Sequence, residues 1–344
     1  MISSAELFAA FVSSMLLAGA LTPLMILIAD WLQIYDHPNE THKTHTMSVP
    51  YLGGIAILIA VSSVTLTGTL LITSGVGYTQ LAISILGPSI LLGIVGLVDD
   101  IRKLSPKSRF FMQSLVGVFT ALLLIRTNTF GSPIGLVQLD FIITILWVVG
   151  VANAVNFLDN LDGSAAGTIA ISSLGLSVLT ISNGQYLLGA LSTVLSGSLL
   201  GFLFWNKRPA RIYMGDAGAL FIGTLIAGLL VRFDPNPISR LSSLSIPILL
   251  MAIPILDSSV AISSRLRRGI SPFNGGYDHL SHRLLRRGFS KELGAYTLWS
   301  LALAFALLAI LISYVPYEYE TPLSVFGLIF WIFLYVKFMQ EPDE

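Results

Sequence analysis

The sequence predicts an all-α, polytopic integral membrane protein, and three observations support this. Of 344 residues, 54% are hydrophobic and only 11% are charged, less than half the share usual in a soluble domain. The stretches Leu52–Val98 and Gly163–Asn206 contain no Asp, Glu, Lys, Arg or His, and each is long enough for two spans of about 20 residues. Apolar runs of this kind are continuous rather than alternating, so the spans are helices and not barrel strands. A soluble enzyme, a nucleic-acid-binding domain and a single-pass receptor are excluded.

Eleven spans are expected, near 6–28, 52–73, 79–98, 110–126, 140–157, 165–182, 186–205, 217–232, 244–263, 294–314 and 323–339. Spans four and eight are short, which leaves the count at ten or eleven. The start, Met1–Glu6, lacks the basic residues and small-residue cleavage site of a signal peptide, so the first span is expected to be retained. Short polar reversals, Thr73–Gln80 and Ser182–Gln185, divide the two uncharged stretches. No internal repeat is evident and no loop is long enough for a separate domain, so residues 1–344 read as one transmembrane domain. The absence of cysteine excludes a disulfide framework, a thiolate metal site and a Cys nucleophile.

A net charge of zero hides an asymmetry. With eleven spans, the loops 30–50, 99–109, 158–164, 206–216 and 264–293 and the C-terminal tail share one side and hold 16 of the 19 Lys and Arg residues. Arg126, Arg232 and Arg240 lie on the other. The positive-inside rule places the basic side in the cytoplasm, the N-terminus outside and the C-terminus inside. The predicted location is the inner or plasma membrane.

The unusual polar clusters fall on that same side. Asp99 and Asp100 close the third span. Asn153, Asn156, Asp159 and Asp162, spaced by three, form a slowly winding polar strip at the end of the fifth. Asp216 precedes the eighth span. One Asp at a helix end is commonly a cap or a solvated boundary residue, but five on neighbouring loops are not explained by caps alone. Carboxylates near hydrocarbon usually face a protein interior or a watery cleft. Such a set suits a hard cation, and Mg²⁺ is typically held by one or two carboxylates plus phosphate oxygens and water. The cations nearby, Lys43, Lys103, Arg211 and Arg283 with His279 and His282, suit an anionic substrate. Metal-assisted phosphoryl transfer at the cytoplasmic surface is the chemistry indicated. There is no Gly-rich nucleotide loop of the Walker type, which argues against an ATPase.

The 264–293 loop contains a short helix pattern over 279–287, with Asp278 as expected N-cap and Gly288 as stop. His279, His282, Arg283 and Arg286 share one face. This reads as a phosphate clamp, as an interfacial helix drawn to anionic lipid, or as both together. Asp257, late in span nine after Pro254, is expected to pair with a neighbouring helix.

The motifs, in order, are His42-Lys43-Thr-His45…Val49-Pro50-Tyr-Leu52-Gly53-Gly54, Gly96-Leu-Val-Asp99-Asp100, Asn153-Ala-Val-Asn156-Phe-Leu-Asp159-Asn-Leu-Asp162-Gly163, Tyr213-Met-Gly215-Asp216-Ala-Gly218 and Asp278-His279-Leu-Ser-His282-Arg283. Together they resemble the polyprenyl-phosphate N-acetylhexosamine-1-phosphate transferases of the glycosyltransferase family 4 type, over nearly the whole chain. That resemblance implies transfer of a sugar 1-phosphate from a UDP-sugar to undecaprenyl or another polyprenyl phosphate, with release of UMP. The product would initiate synthesis of a cell-envelope polysaccharide. It implies Mg²⁺, for which Mn²⁺ can substitute, and leaves room for a homodimer. By motif, Asp216 is the metal ligand, with Asp99 and Asp100 supporting the metal and handling the lipid phosphate. Asn156, Asp159 and Asp162 line the donor pocket and Tyr213 stacks on uracil. Lys103, His279, His282 and Arg283 neutralise phosphate, while Lys43 and His45 flank the cleft.

Some positions depart from the family pattern, among them Asn160 for Gly and Ser281 for the middle His of His-x-His-His-Arg. The Val-Pro-Tyr-Leu-Gly-Gly and His-x-x-His-Arg patterns are closer to the GlcNAc-1-phosphate branch than to the phospho-MurNAc-pentapeptide transferases, which remain an alternative along with other UDP-HexNAc donors. A proton-coupled transporter is the competing class. It would be expected to show inverted repeats and broken helices at mid-membrane, whereas these acids gather at one face.

Overall fold

The computed structural model describes residues 2–36, 48–72, 76–126, 136–235, 239–272 and 275–341. Among them are thirteen helices and one two-stranded antiparallel pair. Helix α1 (Ser4–Leu32) opens on a capping box: Glu6 N–H donates to Ser3 Oγ, and Ser3 N–H donates to the Glu6 carboxylate. Strands β1 (Tyr35–Asp36) and β2 (Val49–Pro50) pair Tyr35 with Pro50. There follow α2 (Gly53–Ile72), α3 (Val76–Arg102), α4 (Pro106–Arg126), α5 (Val137–Leu158), α6 (Ser164–Ser182), α7 (Tyr186–Asn206) and α8 (Gly215–Arg232). The chain closes with α9 (Arg240–Leu250), α10 (Ala252–Arg267), α11 (Leu280–Arg286), α12 (Lys291–Tyr314) and α13 (Tyr317–Met339).

The expected spans correspond to α1–α8, the pair α9–α10, α12 and α13. Nine of these helices are by themselves long and apolar enough to cross a bilayer, and ten if the bent pair counts as one. Helix α4 has 21 residues, but Lys107, Arg109 and Gln113 in its first turns lower its apolarity. Span nine departs from the continuous helix expected. It is broken at Met251, where α9 and α10 meet at 76°. Proline explains the break, because Pro254 has no N–H to offer the Leu250 carbonyl four residues back. That carbonyl instead accepts the Ser172 hydroxyl of α6 at 2.6 Å, and the Ala252 carbonyl accepts Trp331 Nε1–H of α13 at 2.9 Å.

Helix α8 is the axis of the bundle. It is 94% buried, against 22% for α1 and α13, and packs on α3, α5 and α2. Small residues permit this approach, as is usual between membrane helices. A Cβ added at Gly54 would lie 2.2 Å from Gly218 N, so the start of α2 and the start of α8 touch backbone to backbone. Hydroxyls buried within helices return their proton to the preceding turn, as Thr22 does to Ala18 O and Ser89 to Ile85 O, both at 2.7 Å.

Candidate active site

The acids of α3, the strip on α5 and Asp216 converge where α3, α4, α5 and α8 end together. Gly215 adopts φ +69°, and a Cβ there would lie 2.6 Å from Asp100 Oδ2. Both penalties favour glycine. With that turn made, the first amides of α8 point at α3: Asp216 N–H donates to Asp100 Oδ1 (2.9 Å) and Ala217 N–H to Asp100 Oδ2 (3.0 Å). Asp100 thus caps α8 from a neighbouring helix, its two oxygens taking two of the amides that open that helix. Asp99, 6% exposed, accepts Leu104 N–H on Oδ1 (2.7 Å) and Arg109 Nη1–H on Oδ2 (3.0 Å). The same Arg109 nitrogen donates to Asp216 Oδ2 at 3.0 Å, and Asn156 Nδ2–H donates to Asp216 Oδ1.

Arg109 was not among the residues singled out from the sequence. It stood there as one loop charge among 16, although it reaches a carboxylate 107 positions away. The polar strip also divides. Asn156 faces Asp216, while Asn153 turns to Gln113 Oε1 of α4 at 2.7 Å.

Asp159 follows α5 directly. Burial first, then the charges of Asp216 and Asp162, push its carboxyl up to about 7. Asp162 accepts Ala210 N–H at 3.1 Å and lies 3.6 Å from Arg208. Tyr213 is half-buried, its backbone bonded to Pro50 O and Gly53 N, with its ring 6.4 Å from that of Tyr51. Burial and the charges of Asp162, Asp36 and Asp159 raise its hydroxyl pKa. Tyr51 is a second residue missed in the sequence. Its hydroxyl bonds Asp36, and its pKa is raised by burial, with the charge of Asp36 next and those of Asp100 and Asp216 also contributing. Lys103 is exposed just past α3 in a left-handed conformation (φ 49°), its N–H on Asp99 O. Lys43 and His45 lie outside the described residues.

The α11 segment corrects three expectations. Asp278 is not the N-cap. Its carboxylate takes two bonds from Arg265, both 2.8 Å, and one from Arg268 at 2.9 Å. Burial opposes ionisation there, but the hydrogen bonds and charge of Arg265 outweigh it and hold the carboxyl below its usual range. Asp257 does the capping, accepting Leu280 N–H at 2.7 Å on Oδ1 while Oδ2 meets His279 Nδ1 at 2.7 Å.

Nor is the shared face a clamp open to solvent or an interfacial surface as a whole, because His279, His282 and Arg283 are buried, while Arg286 is exposed and donates to Tyr277 O at 2.9 Å. His279 Nε2 lies 3.1 Å from Arg265 Nη2, so the ring donates to Asp257 from Nδ1 and accepts from Arg265. Burial lowers the His282 pKa to about 4, which leaves His282 neutral at pH 7. Arg283 is fully buried and donates to the carbonyls of Asp278 (3.0 Å), Phe338 (2.9 Å) and Glu341 (2.9 Å). It braces α11 against the end of α13 rather than reaching phosphate.

Three contacts join this scaffold to the acid-bearing turn, the first being the Arg265 guanidinium, which lies over the Phe157 ring at 5.3 Å. The Phe157 and His279 rings meet edge-on at 5.6 Å, and the Ser281 hydroxyl donates to Asn160 Oδ1. Asn160 and Ser281, both departures from the family pattern, are therefore partners.

Among the described residues no three His, Asp or Glu side chains gather tightly enough to hold an ion by themselves. The donor set nevertheless fits Mg²⁺. Asp99 and Asp216 face the same guanidinium, a position that already favours positive charge. One or two carboxylates with phosphate oxygens and water is the usual Mg²⁺ arrangement.

Residues 82–234 match the model of glycosyl transferase family 4. A protein of Bacillus subtilis (strain 168), named probable undecaprenyl-phosphate N-acetylglucosaminyl 1-phosphate transferase, is 32% identical over 338 residues, covering 96% of this chain and 89% of its own length. The chain belongs to this family. The Yersinia pestis undecaprenyl-phosphate alpha-N-acetylglucosaminyl 1-phosphate transferase is 28% identical, covering 83% of this chain and 77% of its own. A phospho-N-acetylmuramoyl-pentapeptide-transferase of Chlamydia muridarum is 34% identical over a shorter part, 58% of this chain and 67% of its own. Membership makes the protein a transferase, and the acid cluster lies on helices inside or bordering the matched region.

Proposed function

We propose that this family member transfers N-acetylglucosamine 1-phosphate from UDP-N-acetylglucosamine to a polyprenyl phosphate and releases UMP, at the cytoplasmic face and with Mg²⁺. The observation that carries the reading is the meeting of Asp99, Asp216, Asn156 and Arg109 through shared hydrogen bonds at one end of the bundle. The relatives matched over the greater part of the chain carry N-acetylglucosamine in their names. The 16 basic residues on that side support the cytoplasmic orientation.

The reaction exchanges one phosphoric anhydride for another. An oxygen of the lipid phosphate attacks the phosphorus that bears the sugar, the bond from that phosphorus to the oxygen of UMP breaks, and the electron pair leaves with UMP. No separate energy source is needed. A phosphate monoester has its second pKa near 6, so at pH 7 the acceptor is already largely dianionic and requires little from a general base. Asp99 is better placed to orient than to deprotonate, because both its oxygens are engaged, one with Leu104 N–H and one with Arg109. Asp100 fixes the start of α8 and so aims Asp216. Arg109 supplies fixed positive charge where two anions must approach each other. Mg²⁺ held by Asp216 with Asp99 would neutralise the diphosphate and polarise its oxygens. Tyr213 offers an aromatic face to the nucleobase.

The test uses purified protein in detergent with Mg²⁺, undecaprenyl phosphate and a panel of UDP-sugars, reading UMP release, with Asp216→Ala alongside. UMP from UDP-N-acetylglucosamine that is lost in the variant supports the reading. UMP only from UDP-MurNAc-pentapeptide would move the protein to the other named branch. No divalent-dependent UMP from any donor, in folded protein, would remove the proposal.

A further inference from the structure

The turn between α5 and α6 presents Asp159 and Asp162, and its two halves are held differently. The second half is tied down on all sides. The Ser164 hydroxyl donates to Leu158 O and Leu161 O, Gly163 N–H to Asn206 Oδ1 (3.1 Å), and Trp299 Nε1–H to Gly163 O (3.1 Å). Ala210 N–H donates to Asp162. The first half, Asp159–Asn160, faces α11. There Asn160 Nδ2–H donates to Phe157 O, which turns its Oδ1 outward to accept the Ser281 hydroxyl. Ser281 is 1% exposed, and its helix is seated on α10 through Asp257 and the Arg265–Asp278 pair.

We propose that the Ser281–Asn160 hydrogen bond is a positioning clamp, which fixes the acidic turn in the place where the UDP-sugar diphosphate is received. Asp159 repels Asp162 and Asp216, so a turn released on its α11 side drifts away from them, and small misplacements of groups around a reacting centre are costly. Neither residue is catalytic, since each acts through the position of Asp159 and Asp162. The proposal rests on the reading of the protein as a UDP-sugar transferase.

The experiment is a double-mutant cycle on the purified full chain, with Ser281→Ala, Asn160→Ala, both together, and Ser281→Thr, which keeps the hydroxyl. The expected result is a rise of about tenfold in KM for UDP-N-acetylglucosamine in each single variant, the size of one lost buried hydrogen bond. The double variant should lose the same tenfold rather than the product of the two. Ser281→Thr should return to within about twofold of the parent, and kcat should change little throughout. Hydrogen exchange, which needs no turnover, should quicken in 158–161 in Ser281→Ala and stay unchanged in 163–170.

Effects that multiply, an unchanged KM in Ser281→Ala, or no change in exchange would each overturn the clamp. If Ser281→Ala does not fold, Asn160→Ala reads the same bond from the other side. A parent protein that releases no UMP, with Asp216→Ala as reference, would instead sink the transferase reading and leave the exchange result to judge the clamp.

Discussion

Two groups of buried charge meet in this protein where α10 and α11 pack on the end of α5, and they are built on opposite rules. Around α11, each buried charge has hydrogen-bond partners of its own. Asp278 takes Arg265 and Arg268, Asp257 takes His279 and a helix amide, and Arg283 is spread over three carbonyls. At the ends of α3, α5 and α8 that is not so, for Asp99, Asp100, Asp159 and Asp216 share Arg109 and a few amides. Buried ions tolerate the interior only when paired and hydrogen-bonded, so the matched group behaves as scaffold. The unmatched one holds more carboxylates than cations, a surplus that the cation and phosphorus of the proposed reaction would relieve. Charge content alone does not distinguish a site from a brace. The balance of partners does.

The sharpest way to break this contrast is Asp216→Ala, expected to lower UMP release by about a thousandfold or more while the melting temperature holds. A variant that stayed active would put the site elsewhere. Next comes the brace. Asp278→Ala strands two arginines and should cost about 3–5 kcal/mol of stability, seen as a large fall in thermal midpoint with poor recovery from detergent. Arg109→Ala should lower kcat/KM by about a hundredfold, with a smaller change in melting, and Arg109→Lys should recover part of the loss.

The smallest effect has the opposite sign. Asp159 has its pKa raised to about 7 by burial and then by Asp216 and Asp162, so the fold favours its protonated form. That advantage is full below the ordinary carboxylate value and is lost as pH rises to 7. In chelator-treated protein, Asp159→Asn should therefore melt a few degrees higher than the parent at pH 8 and closer to it at pH 4.5. An equal difference at both pH values would show that Asp159 is not held in an acidic crowd.

Much of this was legible in the sequence, and the residues show why. Asp99, Asp100, Asn156 and Asp216 stand at the edges of uncharged runs, where a carboxylate or amide is costly unless it serves a protein interior. The spacing of His279, His282, Arg283 and Arg286 revealed a shared face but not its direction. Helical periodicity fixes which side chains lie together, whereas packing against α10 and α13 decides whether they look out or in. The N-cap fell to Asp257 rather than Asp278 because a carboxylate 23 positions upstream arrives on a neighbouring helix. Arg109 was hidden for the same reason. Its partners are set by how α4 lies across α3 and α8, which no local pattern encodes.

Helix α8 carries one more consequence, for biogenesis. Of the nine helices apolar enough to cross a bilayer alone it has the lowest mean hydropathy, 1.5, yet it is the most buried at 94%. Lipid would retain it least well during synthesis, and its neighbours must supply the surroundings that lipid does not. Asp216 rides on that helix. In a nascent chain the Asp216 carboxylate therefore meets Arg109 and Asn156 only once the surrounding helices have closed around α8.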